Sequence, residues 1–508
     1  MPGYRNARRF IGYSFNTAVM HPVLYEINTR SWLRELSVLA GKSITLAEVP
    51  DSEFSKWESL GFTHIWLMGI WKTGPGARIE AIRTPEQRAH YLEALPDYQE
   101  EDVLGSPYAI ADYSVSETFG KDEALKSFRQ KLNQRGLKLI LDFVPNHLGL
   151  DHAWVVEQPD LFVQSLVAAP DTFQQQTSQG LRWLAHGKDP YFPPWTETVQ
   201  LDYRRRATQA AMLDLLTSVA ERCDGVRCDM AMLLLKDVFA KNWERFSIAD
   251  PEPNFEFWAS AISTVKTTHR AFLFLAEVYW GMEERLQKLG FDYTYDKELY
   301  DRIVSHDAAG VQRHLLNQPI EFVSASAHFL ENHDERRVAS VLDAAEHRAA
   351  ATLILTLPGL RFLHEGQLRG ATRRLPVQLS RRFAENPNPE IVLMYEELLS
   401  LLRQSCVGQG MAKLLPPIKA SDTDSTAENI VIIQWGPVAQ VFDVVVINLA
   451  ARVGRCVARL VELEDQGVVL KVRNLVDGSE KPPQVYENAG IHLELQPFET
   501  RWLRFDVE

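Results

Sequence analysis

The sequence predicts an α/β fold: a (β/α)₈ TIM barrel with a short inserted subdomain after its third strand, followed by a C-terminal antiparallel β-sandwich domain. Three observations point there. Short apolar runs separated by longer amphipathic stretches recur from about residue 23 to about residue 405, the pattern of parallel strands buried on both faces and joined by helices. Four of those runs close on polar or charged residues that strand packing does not require. From about residue 426 the texture changes to alternating β-branched segments.

In chain order the barrel strands are expected at Val23–Ile27, Thr63–Met68, Leu137–Phe143, Gly225–Asp229, Ala271–Glu277, Phe291–Tyr295, Ser324–Glu331 and Leu360–His364. Helical spacing of apolar residues fills the gaps at Lys121–Arg135, Arg205–Arg222, Phe255–His269, Met282–Leu289, Lys297–Asn317, Val338–Leu355 and Ile391–Gln404. Two gaps are too long for simple turns, from Trp71 to Lys121 and from Leu148 to Leu201; both follow strands, so they emerge on the face of a barrel where sites are built. Strands at Ile430–Gln434, Val441–Asn448, Val457–Leu460, Val468–Val472, Ile491–Leu495 and Thr500–Phe505 make the terminal sandwich. The expected organisation is a catalytic unit over 1–405 with 148–204 as its insertion, a linker over 406–425 marked by Pro416, Pro417, Ser421 and Ser425, and an all-β unit over 426–508.

Composition narrows the function. The chain is 45% hydrophobic and 24% charged with a formal charge of −13, so it lacks the basic footprint that a nucleic acid demands. No nucleic-acid partner is expected. The opening stretch Met1–Arg9 carries charge without a following apolar run of signal length, and nothing downstream reaches membrane-span length, which reads as a cytoplasmic protein with no membrane partner. Oligomeric state is left open. Cys223, Cys228, Cys406 and Cys456 are too few for a disulfide framework and read as structural thiols. Neither metal-type Cys/His spacing nor a phosphate-cradling glycine loop appears, so no metal and no cofactor is expected.

The polar strand ends carry the chemistry. The third strand closes on Leu141-Asp142-Phe143-Val144-Pro145-Asn146-His147, the fourth on Gly225-Val226-Arg227-Cys228-Asp229, the fifth on Leu275-Ala276-Glu277 and the seventh on Glu331-Asn332-His333-Asp334. Arg227 stands two residues before Asp229, on the same strand face, where its charge is expected to hold the Asp229 carboxyl down. Trp280 and the neighbouring carboxylates are candidates to give Glu277 an apolar or anionic setting, which favours a protonated carboxyl.

In order, spacing and strand, these four segments resemble the four short motifs of the α-amylase superfamily, glycoside hydrolase family thirteen. The resemblance covers residues from about 20 to 400, and a terminal β-domain is also usual in that family. It implies that Asp229 is the nucleophile, Glu277 the general acid/base and Asp334 the third carboxylate, which binds the sugar's 2- and 3-hydroxyls. Two carboxyls about 5 Å apart are what retaining hydrolysis of a glycoside requires. It also implies that His147 and His333 donate to hydroxyls of the same sugar, and that Tyr108 in Ser106-Pro107-Tyr108-Ala109 is a stacking tyrosine. Asp142 is expected to orient Arg227, and Asn146, a calcium ligand in many relatives, to be structural.

The pattern also departs from the family. A Lys-His pair follows the nucleophile in many relatives; here Met230-Ala231-Met232-Leu233 follows, which removes polar contacts on the leaving side and a contribution to the calcium site. Ala109 stands where many relatives have Asp. The aromatic insertion Tyr191-Phe192-Pro193-Pro194-Trp195 is placed either to cover the cleft or to form a glucan platform. The resemblance therefore implies hydrolysis of α-1,4-glucosidic bonds in maltooligosaccharides or α-glucans, with an oligosaccharide or polysaccharide as partner. Transglycosylation on the same scaffold is the alternative, and a non-catalytic interaction protein the remote one.

Overall fold

The computed structural model describes residues 21–246, 256–438, 441–460, 469–485 and 490–506. The reading of Met1–Arg9 lies outside the described residues, as do Phe255 at the start of one expected helix and Val468 at the start of one expected strand.

Eight parallel strands close into a barrel: β1 (Val23–Asn28), β2 (His64–Met68), β3 (Lys138–Phe143), β4 (Gly225–Cys228), β5 (Leu273–Ala276), β6 (Tyr293–Tyr295), β7 (Ser326–His328) and β8 (Leu360–His364). Neighbours in sequence are neighbours in space, and β8 pairs with β1 through Val23↔Arg361 to Glu26↔His364. Runs such as Ile65-Trp66-Leu67 and Leu139-Ile140-Leu141 are fully buried because helices cover one side of the sheet and barrel side chains fill the other. That is why these strands read as continuous apolar runs. Each expected strand is present; β4 and β5 stop just before Asp229 and Glu277, which leave the strands to enter the site.

The first helix, Thr29–Ala40, starts where the Asn28 side chain accepts from Ser31 N and stops at Gly41 in the left-handed region (φ 64). The helix expected over Lys297–Asn317 is instead two, Lys297–Val304 and Ala308–Asn317. His306 adopts φ 60, and Asp307 Oδ1 accepts from Gly310 N at 2.8 Å, so a cap overrides a continuous apolar period. The first long gap likewise contains the helices Pro75–Arg83 and Pro85–Ala94. The second folds into an antiparallel sheet of Gln164–Ser165, Gly180–Ala185 and Thr172–Thr177, in that order, and is tied to the barrel by His147–Gly149 pairing with Thr198–Gln200.

The terminal region forms a six-stranded and a three-stranded antiparallel sheet around a core that includes Ile430, Ile432, Phe442, Val444 and Phe505. The stretch expected as a linker carries two of its strands: Ala412–Leu415 pairs with Ile430–Val438 and Ile418–Lys419 with Gly454–Arg459. Pro416-Pro417 is thus the crossing between sheets, not a tether. The opposite face of the larger sheet, with Val431, Ile433, Trp435, Val445 and Trp502, packs into the barrel's own core. Trp435 also donates to Thr356 O at 2.7 Å. A buried aromatic of this size removes roughly 200 Å² from water, an upper limit of about 5 kcal/mol, so the two units are docked over a genuine core.

Candidate active site

The barrel register places the polar residues together. In the ladder Arg227 is level with Asp142 and Leu275, and the pairing runs on past the strands: Asp229 N donates to Phe143 O at 2.9 Å and Glu277 N to Cys228 O at 3.1 Å. Alternation along β4 sends Arg227 and Asp229 to one side and Val226 and Cys228 to the other.

Arg227 is the centre. Its Nη1 lies 2.6 Å from Asp229 Oδ1 and its Nη2 2.8 Å from Glu277 Oε2. The guanidinium is only 1% exposed and is enclosed by the rings of Trp66, Tyr108 and Tyr295, at 5.4, 5.2 and 5.9 Å from their centroids. Glu277 accepts two further hydrogen bonds, from Met230 N at 2.6 Å to Oε2 and from Tyr279 Oη at 2.8 Å to Oε1. Met230 holds the left-handed φ of 44 that turns its N–H toward that carboxylate.

A second chain of contacts carries Asp334. Its Oδ2 lies 3.0 Å from His333 Nε2, which also meets Tyr108 Oη at 2.8 Å, while His333 Nδ1 bonds Glu26 at the end of β1. The Tyr108 and His333 rings stack at 5.5 Å. Asp334 keeps 48% of its side-chain surface accessible, whereas Asp229 and Glu277 keep 8% and 4%. The third carboxylate therefore stands at the mouth, above two recessed ones.

Burial, the largest influence, raises the Glu277 carboxyl to about 7; Arg227 opposes it, and the charges of Asp229 and Asp334 add to the rise. Asp229 is also raised, because burial outweighs Arg227. This corrects the expectation that Arg227 would hold it down: one guanidinium is shared between two desolvated carboxylates. For His333 burial acts downward, but Asp334 and Glu26 on its two nitrogens overcome it, so its imidazole is held well above its ordinary range and charged. Burial would raise Asp334; that imidazolium and its hydrogen bond prevail and keep it below the usual carboxylate range.

The remaining sequence candidates fall into two groups. Arg227 and His333 lie in direct contact with the carboxylates, and Tyr108 touches both of them. Asp142 accepts from Trp66 Nε1 at 3.1 Å and Gly69 N at 2.8 Å, and burial raises its carboxyl to about 7 against the opposing charge of Arg227; the two act on each other through charge rather than a hydrogen bond. His147 is buried against Trp195, with ring centroids 5.1 Å apart, and desolvation lowers it to about 3, so it is a neutral imidazole. Trp280 does not enclose Glu277: at φ 65 it turns outward onto Tyr191 of the insertion, with centroids 4.9 Å apart. Tyr279 takes that place.

Asn146 is engaged by Gln200: its Nδ2 donates to Gln200 Oε1 at 3.2 Å, and Gln200 Nε2 donates to its Oδ1 at 3.0 Å and its carbonyl at 2.8 Å. A neutral amide pair with its oxygens already occupied does not fit the hard oxygen cage that calcium needs. Among the described residues no group of three or more His, Cys, Asp or Glu is placed to hold a metal ion. The four cysteines are buried free thiols. No helix among the described residues is long and apolar enough to cross a membrane.

Glu26 and Tyr279 escaped the sequence reading. Glu26 had a signal, an acid inside the apolar run Val23-Leu24-Tyr25-Glu26-Ile27. Tyr279 had only its closeness to Glu277.

A family model described as the alpha amylase catalytic domain matches residues 57–391. Alpha-amylase MalA of Haloarcula japonica is 24% identical over 285 residues, 54% of this chain and 38% of that protein. Maltase 1 of Drosophila virilis is 24% identical over 403 residues, 69% of this chain and 58% of that one. The chain spans about half the length of the curated relatives it matches. In fold it is similar to a noncanonic maltogenic alpha-amylase from Thermotoga neapolitana, with a TM-score of 0.66 at 17% identity, covering 96% of this chain and 99% of that one.

Proposed function

The chain belongs to the alpha-amylase family, and on that premise we propose that it is a retaining glycoside hydrolase cleaving α-1,4-glucosidic bonds of maltooligosaccharides or α-glucans. The observation that carries this reading is the bridge from Asp229 through Arg227 to Glu277. Two carboxylates on one planar guanidinium suit the narrow spacing of a retaining pair, about 5 to 5.5 Å, better than the wider gap that admits a water.

In the proposed reaction an Asp229 oxygen attacks the anomeric carbon as Glu277 gives its proton to the departing glycosidic oxygen. The bond to the leaving sugar breaks and a covalent glycosyl ester forms. Glu277, now ionised, takes a proton from water, whose oxygen attacks the same carbon and releases Asp229. Burial that raises Glu277 to about 7 supports the acid role, since the proton is held near neutral pH. Arg227 opposes the burial that raises Asp229 and so works toward its ionised form. Asp334, exposed and held ionised by His333, suits the accepting of sugar hydroxyls. Tyr108, stacked on His333 and lying against the Arg227 guanidinium, is part-exposed beside the carboxylates and suits contact with a sugar ring.

Transglycosylation is the second reading, favoured by one feature: the segment after Asp229 is the buried apolar Ala231-Met232-Leu233, a leaving side poor in groups that would bind water. The catalytic unit is taken as running to 405 with the insertion 148–204, and the β-domain as beginning with the strand Ala412–Leu415. Four reduced, buried thiols favour a cytoplasmic setting.

Incubation with a panel of α-linked oligosaccharides, with and without a second sugar acceptor, tests both readings. Product chromatography and the anomeric proton signals at early time should show the α-anomer released. A β-anomer first product would mean direct water attack and overturn the proposed roles.

A further inference from the structure

Between the first helix and the segment that follows β8 lies a cavity of about 380 Å³ with a lining unlike the rest of this acidic protein. Seven arginines line it against two carboxylates, Glu35 and Glu385. Four of the arginines are neutralised in place: Arg34 by Asp102 at 2.9 Å, Arg337 by Glu331 at 2.6 Å, Arg381 by Asp102 at 2.8 Å and Arg382 by Glu365 at 2.9 Å.

Three are not. Among the described residues the Arg369 side chain makes no ion pair or hydrogen bond, while the side chains of Arg373 and Arg374 donate to main-chain oxygens, of Glu93 at 3.2 Å and Asp334 at 2.6 Å. Carbonyls satisfy N–H groups without an ion pair; carboxylates act on these charges only from beyond ion-pair distance, Glu35 on Arg369 and Asp334 on Arg374. Glu385 offers no relief, because its oxygens accept from Thr372 N at 2.9 Å, Thr372 Oγ1 at 2.6 Å and Arg373 N at 3.2 Å. The excess of cations is local, set against a formal charge of −13 for the chain.

The cavity also has an apolar side. Leu375 lines it, the Arg373 guanidinium lies 4.2 Å from the Phe383 ring centroid, and Val38 and Leu39 are 75% and 84% exposed at the edge. Stacking on Phe383 restricts Arg373 and leaves its planar fork presented to an anion.

We propose that this cavity is a binding site for a small phosphate monoester, separate from the carboxylate centre. The phosphate meets the guanidinium groups of Arg369, Arg373 and Arg374, and the organic body lies against Phe383 and Leu375. Three unneutralised forks match a dianion with three oxygens better than a monovalent carboxylate with two. The volume suits a body of monosaccharide size. Asp229, Glu277 and Asp334 do not line the cavity; the link to them is Arg374, through the Asp334 carbonyl.

The experiment is calorimetric titration of the full chain with glucose 6-phosphate, with inorganic phosphate and glucose as separate probes. One saturable site for glucose 6-phosphate is expected, weaker for inorganic phosphate, absent for glucose and weakened by added sodium chloride. The Arg369→Gln and Arg373→Gln variants should each weaken binding by about tenfold, and the double variant should abolish it, with circular dichroism of the wild-type form. Excess maltotriose should leave the affinity unchanged. Absence of a saturable site, equal affinity for inorganic phosphate, undiminished binding in folded variants, or displacement by maltotriose would each overturn the proposal.

Discussion

The Tyr279 hydroxyl stands 2.8 Å from Glu277 Oε1 and donates to it, a hydrogen bond from two places along the same chain that favours the charged form against the burial that raises this carboxyl. Activity should follow a bell-shaped pH profile whose alkaline limb belongs to Glu277, raised to about 7 by burial against the pull of Arg227. Replacing Tyr279 by Phe removes a donor to the ionised form, so the carboxyl should rise further and the alkaline limb should move up by about one pH unit. Glu277→Gln should flatten that limb, most visibly with substrates whose leaving group needs no proton. Profiles of kcat against pH check both; a limb that stays put in Tyr279→Phe would show that the tyrosine only packs.

Asp229→Asn should lower turnover by at least about a thousandfold with the fold intact, since Glu277, the other carboxylate on the Arg227 guanidinium, is engaged in proton transfer in the proposed reaction. Single-turnover assays on maltooligosaccharides together with circular dichroism measure it. Residual activity above about a tenth of wild type would remove Asp229 from the nucleophile role.

Glu277 should also cost stability. Its folded carboxyl titrates near 7, above the ordinary value of a glutamate in the unfolded chain, so on raising the pH the unfolded chain loses this proton first. Stability from this group is therefore greatest below about pH 4.5, falls as pH rises toward 7, and is flat beyond; the drop is on the order of 3 kcal/mol. Glu277→Gln should consequently melt above the wild type at pH 8 and close to it at pH 4.5. Thermal scans at the two pH values decide, and a variant melting below wild type at pH 8 would show that the lost contacts to Arg227, Met230 and Tyr279 outweigh the desolvation.

Chelation should leave activity and melting temperature unchanged, because Gln200 occupies the oxygens of Asn146 that a calcium ion would need. Assays and thermal scans with and without EDTA check this. A loss restored by calcium but not by magnesium would contradict it.

The site was legible where it depends on local period. A strand with period two puts Arg227 and Asp229 on one face, and a buried strand that ends on a carboxylate announces its open end, so the eight strands and the three carboxylates could be read in order. Helix continuity was misread at His306-Asp307, where a side-chain cap competes with an unbroken apolar stripe. The supposed linker was misread because Pro416-Pro417 looks the same whether it joins two domains or two sheets of one.

By itself the sequence determined the barrel, the terminal β-domain and the row of strand-end carboxylates, because periodicity and strand ends are properties of neighbouring residues. The tertiary structure alone decided which charges meet. Arg227 pairs with Glu277 fifty residues on as well as with its neighbour Asp229, His333 reaches back to Glu26, and Gln200 closes on Asn146. It also turned Trp280 outward and gathered the arginines after β8 against the first helix. Those pairings depend on barrel closure, which sets strands from opposite ends of the chain side by side, and their protonation depends on how much water that closure removes.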